Sequence, residues 1–305
     1  MVDTQVFLIV IHLRRRTVDA LLPGVAKLVA NPSGRENSEM RIVQLLLAGG
    51  VLALAAACGG GKGDAAKKDE AAKVGGDLDL AAAAVANNGR PADDRADDEN
   101  RKPAEVLAFT GIKPGDVVFE MEAGPGYYTE LISPIVGLGG KVYMQNPAGF
   151  DSFLGDAVPN RLADNRLPNV EYVKSNFDDL VVADGEVDVV TWILGPHELY
   201  FLPPGGESLG GVEETYAEIM RILEPGGYFV VLDHAAESGA PETTGNTLHR
   251  IDPAIVKGLA ADAGFVLVEE SDILRNPDDK YDMGVFDPEV RRKTDRFLLK
   301  FQKPE

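Results

Sequence analysis

Val117-Val118-Phe119-Glu120-Met121-Glu122-Ala123-Gly124-Pro125-Gly126-Tyr127-Tyr128-Thr129 decides the reading of this chain. An apolar run with β-branched residues ends in an acid, turns through two glycines and enters a helical pattern over Thr129 to Val136. A strand, a glycine turn and a helix in that order let backbone approach a small ligand at the edge of a parallel sheet. The acid at the strand end offers a hold for a polar or cationic group. A dinucleotide fingerprint would require Gly-x-Gly-x-x-Gly, but Tyr127 and Tyr128 follow Gly126 here.

Outward from this turn, strand and helix patterns alternate. The strand candidates are Asp116–Met121, Lys141–Asn146, Val170–Ser175, Val187–Ile193, Tyr228–His234, Phe265–Glu270 and Asp295–Gln302. Helical patterns lie at Pro103–Phe109, Thr129–Val136, Phe150–Arg161, Val212–Leu223 and Pro253–Ala263. Such alternation implies an α/β fold, a mostly parallel sheet with helices on both faces. The last two strands have no helix between them, so an antiparallel pairing is expected there. Leu223-Glu224-Pro225-Gly226-Gly227 reads as a tight turn out of the preceding helix.

The N-terminal third reads differently. Ile42 to Ala57 is an apolar run with small residues at its end, preceded by Met40-Arg41 and followed by Cys58. That is the pattern of a signal peptide rather than of a spanning helix. Gly59-Gly60-Gly61-Lys62-Gly63-Asp64 and the Ala/Lys/Asp/Glu run after it read as a tether. Together these residues resemble a bacterial lipoprotein, cleaved before Cys58 and lipidated on its thiol. Ala55 departs from the Leu usual three residues before that cysteine. The expected division is residues 1–39 as a disordered extension ahead of the true start, 40–58 as signal peptide, 59–100 as a flexible charged linker and 101–305 as the folded domain. Export to the outer membrane facing the periplasm follows, with a soluble periplasmic form as alternative. Cys58 is the only cysteine, so no intramolecular disulfide is expected.

The spacing acid-x-x-x-Gly-x-Gly resembles the first motif of the class I S-adenosylmethionine-dependent methyltransferases. Over the domain the chain is similar to a group of predicted, exported bacterial methyltransferases. The residues that carry this are Arg101-Lys102-Pro103-Ala104-Glu105-Val106-Leu107, Gly126-Tyr127-Tyr128-Thr129-Glu130-Leu131, Asp178-Asp179-Leu180, Thr247-Leu248-His249-Arg250-Ile251-Asp252-Pro253, Leu274-Arg275-Asn276-Pro277 and Lys293-Thr294-Asp295-Arg296-Phe297. The resemblance implies a seven-stranded, mostly parallel Rossmann-like sheet with an antiparallel last strand, and S-adenosylmethionine as cofactor. It implies cofactor contacts from Glu120, Gly124, Gly126, Tyr127 and Tyr128. It places Asn146 where an acid usually grips the ribose, and Asn176, beside Phe177, where an acid often holds the adenine. Both acids are missing, and Glu122 replaces a glycine usual in the loop.

His197 and His234 follow candidate strands, and His249 lies before the last helix pattern. On this topology all three reach the cofactor edge of the sheet. His197 or His234 is the candidate base, with Glu198 or Asp233 as orienting partner, and His249 is grouped with them. Arg250 and Arg275 are candidates for an anionic group or for ion pairs. No tight metal-ligand motif is present, and no metal ligand is assigned. The formal net charge of −19 speaks against nucleic acid, whose phosphates need a basic face. Three functions compete: a methyltransferase acting on a small or envelope-associated acceptor, a degenerate or repurposed binding protein on the same fold, and a metal-dependent enzyme using His197, His234 and His249. Membrane contact is expected only through the lipid on Cys58.

Overall fold

The computed structural model describes residues 77–202 and 206–305. Residues 1–76, on which the expected upstream extension, signal peptide and lipidated Cys58 fall, lie outside the described residues. Residues 77–85 are helical. After them come α1 (Ala92–Ala96), α2 (Asp98–Arg101), α3 (Pro103–Thr110), β1 (Val117–Met121), α4 (Thr129–Val136) and β2 (Lys141–Asn146). α5 (Asp151–Leu154), α6 (Ala157–Leu162), β3 (Val170–Lys174), β4 (Val187–Ile193), α7 (Val212–Ile222) and β5 (Leu223–His234) follow. α8 (Thr244–Leu248), α9 (Pro253–Asp262), β6 (Val266–Ser271) and β7 (Arg296–Gln302) complete the order.

The seven strands lie in the order β3-β2-β1-β4-β5-β7-β6. β1 pairs parallel with β2 and β4, while β7 runs antiparallel to both β5 and β6. This is the sheet that the class I methyltransferase resemblance implies. The topology switches at β1, where β2 leaves to one side and β4 to the other. Ligand crevices form at the carboxyl ends of strands at such a point.

Alternate residues of the central strands face two separate cores, as the two-residue period of a strand requires. Phe119, Met121, Val190, Trp192, Phe229 and Val231 enter one core with Tyr216 and Ile219 of α7. Val118, Val189, Val230 and Leu232 enter the other with Leu131 and Ile132 of α4. Both faces are therefore covered by helices, and the central strands read as near-continuous apolar runs.

Three expectations change. Residues 77–100 fall within the expected flexible linker, but Ala81 and Ala84 are buried in the second core and Arg90 is bonded to Asp98. Their small apolar face supplies the packing that the charged residues beside it obscure in sequence. The helix expected over Phe150–Arg161 is broken at Gly155, which adopts φ 47° between α5 and α6. The Leu223–Gly227 turn is instead an irregular start to β5, which shifts register between the Val187/Leu223 and Val189/Tyr228 pairs. Gly227 is needed there because a Cβ would stand 2.9 Å from the Asp188 carbonyl oxygen.

Candidate cofactor and active site

The loop after β1 is held in an unusual backbone shape. Glu122, Gly124 and Gly126 all take positive φ, at 51°, 57° and 88°. Glycine does so freely, whereas the side chain of Glu122 makes this conformation unfavourable. The end of β2 holds it in place. Gln145 accepts from Glu122 N at 2.8 Å, and its carbonyl accepts from Ala123 N at 2.8 Å. Asn146 Oδ1 accepts from Gly124 N at 2.8 Å, and its Nδ2 donates to Gly124 O at 3.0 Å. Asn146 is fully buried in this role. Asn146, expected to face the ribose, instead turns its amide to the loop, as both acceptor and donor to the backbone of Gly124.

Gly126 also differs from expectation. A Cβ there would lie 2.9 Å from Met144 Cε and 3.3 Å from Arg161, so this glycine packs the loop onto β2 and α6 and does not line the cavity. Arg161 Nε donates to the Pro125 carbonyl, and its guanidinium pairs with Asp94 of α1 and Glu130 of α4. Tyr127 Oη donates to Asp98 of α2 at 2.6 Å, with the Arg101 guanidinium 4.4 Å over its ring. The segment before Arg101 thus covers the glycine loop.

Across from the loop stands the β4 end. Leu194 takes φ 64° and leads into a 3₁₀ turn over Pro196–Tyr200. Gly195 permits this bend, since a Cβ would meet Trp192 Nε1 at 1.9 Å and Glu122 Oε2 at 2.4 Å. The turn delivers His197 and Glu198 to the cavity. Asp233, wholly buried at the end of β5, accepts from the His197 backbone N–H at 2.9 Å and from its ring Nδ1 at 2.8 Å. A carboxylate only accepts, so Nδ1 carries hydrogen. Burial opposes the charge on His197, but Asp233 and Glu198 outweigh it and push its pKa up to about 10. Burial likewise disfavours the Glu198 carboxylate, yet His197 and His249 draw it down to about 2. His234 Nδ1 meets Thr294 Oγ1 at 2.7 Å. Burial, then the positive charge of His197, hold His234 well below the usual histidine value, so it is neutral near pH 7.

These parts enclose a cavity of about 360 Å³ lined by Glu120, Gly124, Tyr127, Tyr128, His197, Glu198 and His234, among others. That volume falls in the roughly 300–1,000 Å³ range of small-ligand sites. Burial pushes the Glu120 carboxyl up to about 7, although the Thr129 hydroxyl donates to it. Desolvation first and the Glu198 charge second push the buried Glu122 carboxyl well up, and it accepts from Trp192 Nε1 at 3.0 Å.

Several expected site residues stand elsewhere. Asn176 is exposed and away from the cavity, and Phe177 is wholly buried with its ring 5.0 Å from Trp192. The loop after β3 turns its aromatic residue into the core, which removes both from the cavity. His249 stands behind Glu198, with its ring 4.7 Å from Phe201 and 5.0 Å from Phe286. Arg250 is buried and held by Asp279 and by the carbonyls of Ala235 and Met283. Arg275 pairs with Asp295 at 2.9 Å. Neither arginine is among the cavity's lining residues. Conversely, Arg101, Leu194 and Phe286 line the cavity without having been singled out for it. Val285-Phe286, an apolar pair between Asp282 and Asp287, was the available signal.

No family model matches the chain. Over 129 residues it is 27% identical to the ubiquinone/menaquinone biosynthesis C-methyltransferase UbiE of Hydrogenovibrio crunogenus, which covers 42% of this chain and 46% of that protein. Over 175 residues it is 25% identical to the UbiE of Cronobacter sakazakii, covering 57% of this chain and 65% of the other. The chain thus spans about half the length of the curated relatives it matches. Among solved structures, it is similar to a SAM dependent methyltransferase from Aquifex aeolicus, with a TM-score of 0.49, 21% identity, and coverage of 68% of this chain and 95% of that one.

Proposed function

We propose that the chain is an S-adenosylmethionine-dependent methyltransferase acting on a small or envelope-associated acceptor. The observation that carries this is the cavity itself, set at the topological switch point of the sheet between the glycine loop and the His197–Glu198 turn. Similarity to C-methyltransferases over part of the chain supports the same reading.

The residues present fit one end of the cofactor. Gly124 has no heavy atom within 4 Å of where a Cβ would stand, so the loop leaves open room at its cavity face. Tyr128 lines the cavity and would offer an aromatic face to a cation, worth about 0.5–2 kcal/mol, whereas the Tyr127 ring already carries the Arg101 guanidinium. Glu120, which lines the cavity, would hold the amino-acid portion, while Gly124, whose N–H and carbonyl are both bonded to Asn146, contributes room rather than a hydrogen bond. When bound, S-adenosylmethionine supplies an electrophilic methyl group on a sulfonium. Asn146 faces the loop, so the usual charged contact to the ribose is missing, which lowers affinity by about 1–3 kcal/mol.

The acceptor side falls to His234 and His197. His234 is neutral and lines the cavity, so it is the residue suited to take a proton from the acceptor. His197, held between Asp233 and Glu198, forms the cavity wall beside the acceptor. His234→Gln should slow S-adenosylhomocysteine release by about 10²–10⁴-fold on an envelope extract while leaving cofactor affinity unchanged. An unchanged rate would remove His234 from this role.

The same proposal includes an exported lipoprotein attached through Cys58, with no nucleic-acid partner. Labelled palmitate should enter the wild-type chain and not Cys58→Ser. Equal labelling would contradict the anchor.

A further inference from the structure

His197, Glu198 and His249 meet in a way the methyltransferase reading does not require. One carboxylate oxygen, Glu198 Oε1, stands 3.3 Å from His197 Nε2 and 3.3 Å from His249 Nδ1. The three donor atoms all lie within 4.8 Å of one another. Charge-assisted hydrogen bonds usually close to about 2.7–2.9 Å. Two ligands held at about 2.0–2.1 Å by one tetrahedral ion stand about 3.3 Å apart. The two spacings from Glu198 Oε1 thus match ligands around an ion better than they match a closed ion pair.

Three further observations point the same way. Glu198 Oε2 is buried without a hydrogen-bond partner, so one donor of the cluster is unused by the protein. Asp233 grips His197 Nδ1 at 2.8 Å, which leaves Nε2 as the free ring nitrogen. A carboxylate behind a ligating imidazole orients it in this manner in metal sites. Phe201 and Phe286 flank His249 and hold its ring among apolar surfaces. His234 is not in the cluster, and its Nδ1 is bonded to Thr294.

We infer that His197 Nε2, Glu198 and His249 Nδ1 form a binding site for a divalent first-row transition metal at the rim of the glycine-loop cavity. Two histidines and one carboxylate suit Zn²⁺ or Fe²⁺ and leave coordination positions free. Because His197 and Glu198 line the cavity, an oxygen or nitrogen donor of a bound acceptor can reach those positions. On binding, the ion replaces the proton on His197 Nε2, which leaves to solvent.

The test uses the full chain, stripped with chelator, desalted and dialysed against micromolar Zn²⁺ or Co²⁺. The expected result is close to one Zn²⁺ per chain and visible Co²⁺ absorption bands. His249→Asn tolerates the left-handed backbone at that position and should weaken Zn²⁺ at least 100-fold, as should Glu198→Gln. Asp233→Asn, one step removed from the ion, should weaken it about 10–100-fold. A folded wild-type chain that takes up no Zn²⁺, or a Co²⁺ spectrum unchanged in His249→Asn, overturns the site. The wild-type stoichiometry decides even if a variant fails to fold. S-adenosylmethionine affinity, titrated on the same samples, keeps the fate of the metal site separate from that of the cofactor site.

Discussion

Asn146 stands where an acid would face the ribose, yet both ends of its amide bind the backbone of Gly124. Restoring the acid should therefore harm the protein. Asn146→Asp removes the donor to Gly124 O and sets a carboxylate against it, so urea denaturation should show a loss of about 1–3 kcal/mol. S-adenosylmethionine affinity should not rise; a tighter complex would mean the side chain turns outward. Glu120 makes a second prediction at this scale. Burial raises its carboxyl to about 7 from an ordinary value near 4.5. Folding well below pH 4.5 leaves it protonated in both states. As pH rises from about 4.5 to about 7 the unfolded chain releases the proton first, so stability falls by on the order of 3 kcal/mol and levels off above. Glu120→Gln should remove that part of the slope, read as the difference between the two proteins' urea midpoints at pH 5 and pH 7.5. Identical slopes would show that the carboxyl is not held neutral. Sequence marks both positions, but it does not show which way an amide or a buried acid turns, because that depends on neighbours from other strands.

The strands were legible because buried parallel strands are apolar runs bounded by turn residues. Lys141–Asn146 and Val187–Ile193 match their expected bounds. The start of β5 was not legible, since Pro225-Gly226-Gly227 gives a turn signal while the backbone there keeps pairing irregularly with β4 and β7. The helices before Arg101 were obscured by their own charges, which turn out to be the clamp on the glycine loop. Arg161 joins α1, α4 and Pro125 in that clamp, with only 6% of its side chain exposed. Arg161→Leu leaves Asp94 without its partner and should cost about 3–5 kcal/mol in urea denaturation. A cost below 1 kcal/mol would mean the clamp is ornamental to stability. Gly195 governs the opposite wall. Gly195→Ala forces a methyl group into Trp192 and Glu122, so about 3 kcal/mol or more should be lost. Trp192 is the only tryptophan, and its emission should shift to the red as the turn is displaced. Unchanged emission would contradict the close approach.

Across the whole molecule, residues far apart in sequence meet only because the strand order brings the ends of β1, β4 and β5 together. Glu120, His197 and His234 were placed on one edge by topology alone, and all three line the cavity. Asn176 and Phe177, which the resemblance rather than the topology named, stand outside the cavity lining, because the loop after β3 packs Phe177 against Trp192. The edge of a sheet is legible from alternation; the path of each loop over it is not. The central claim is that this cavity binds S-adenosylmethionine through the glycine loop. Calorimetric titration of the purified chain with S-adenosylmethionine and S-adenosylhomocysteine tests it most directly. Micromolar binding of both, abolished by Gly124→Arg in a chain that remains folded, is the predicted result. A folded wild-type chain that binds neither would contradict the account.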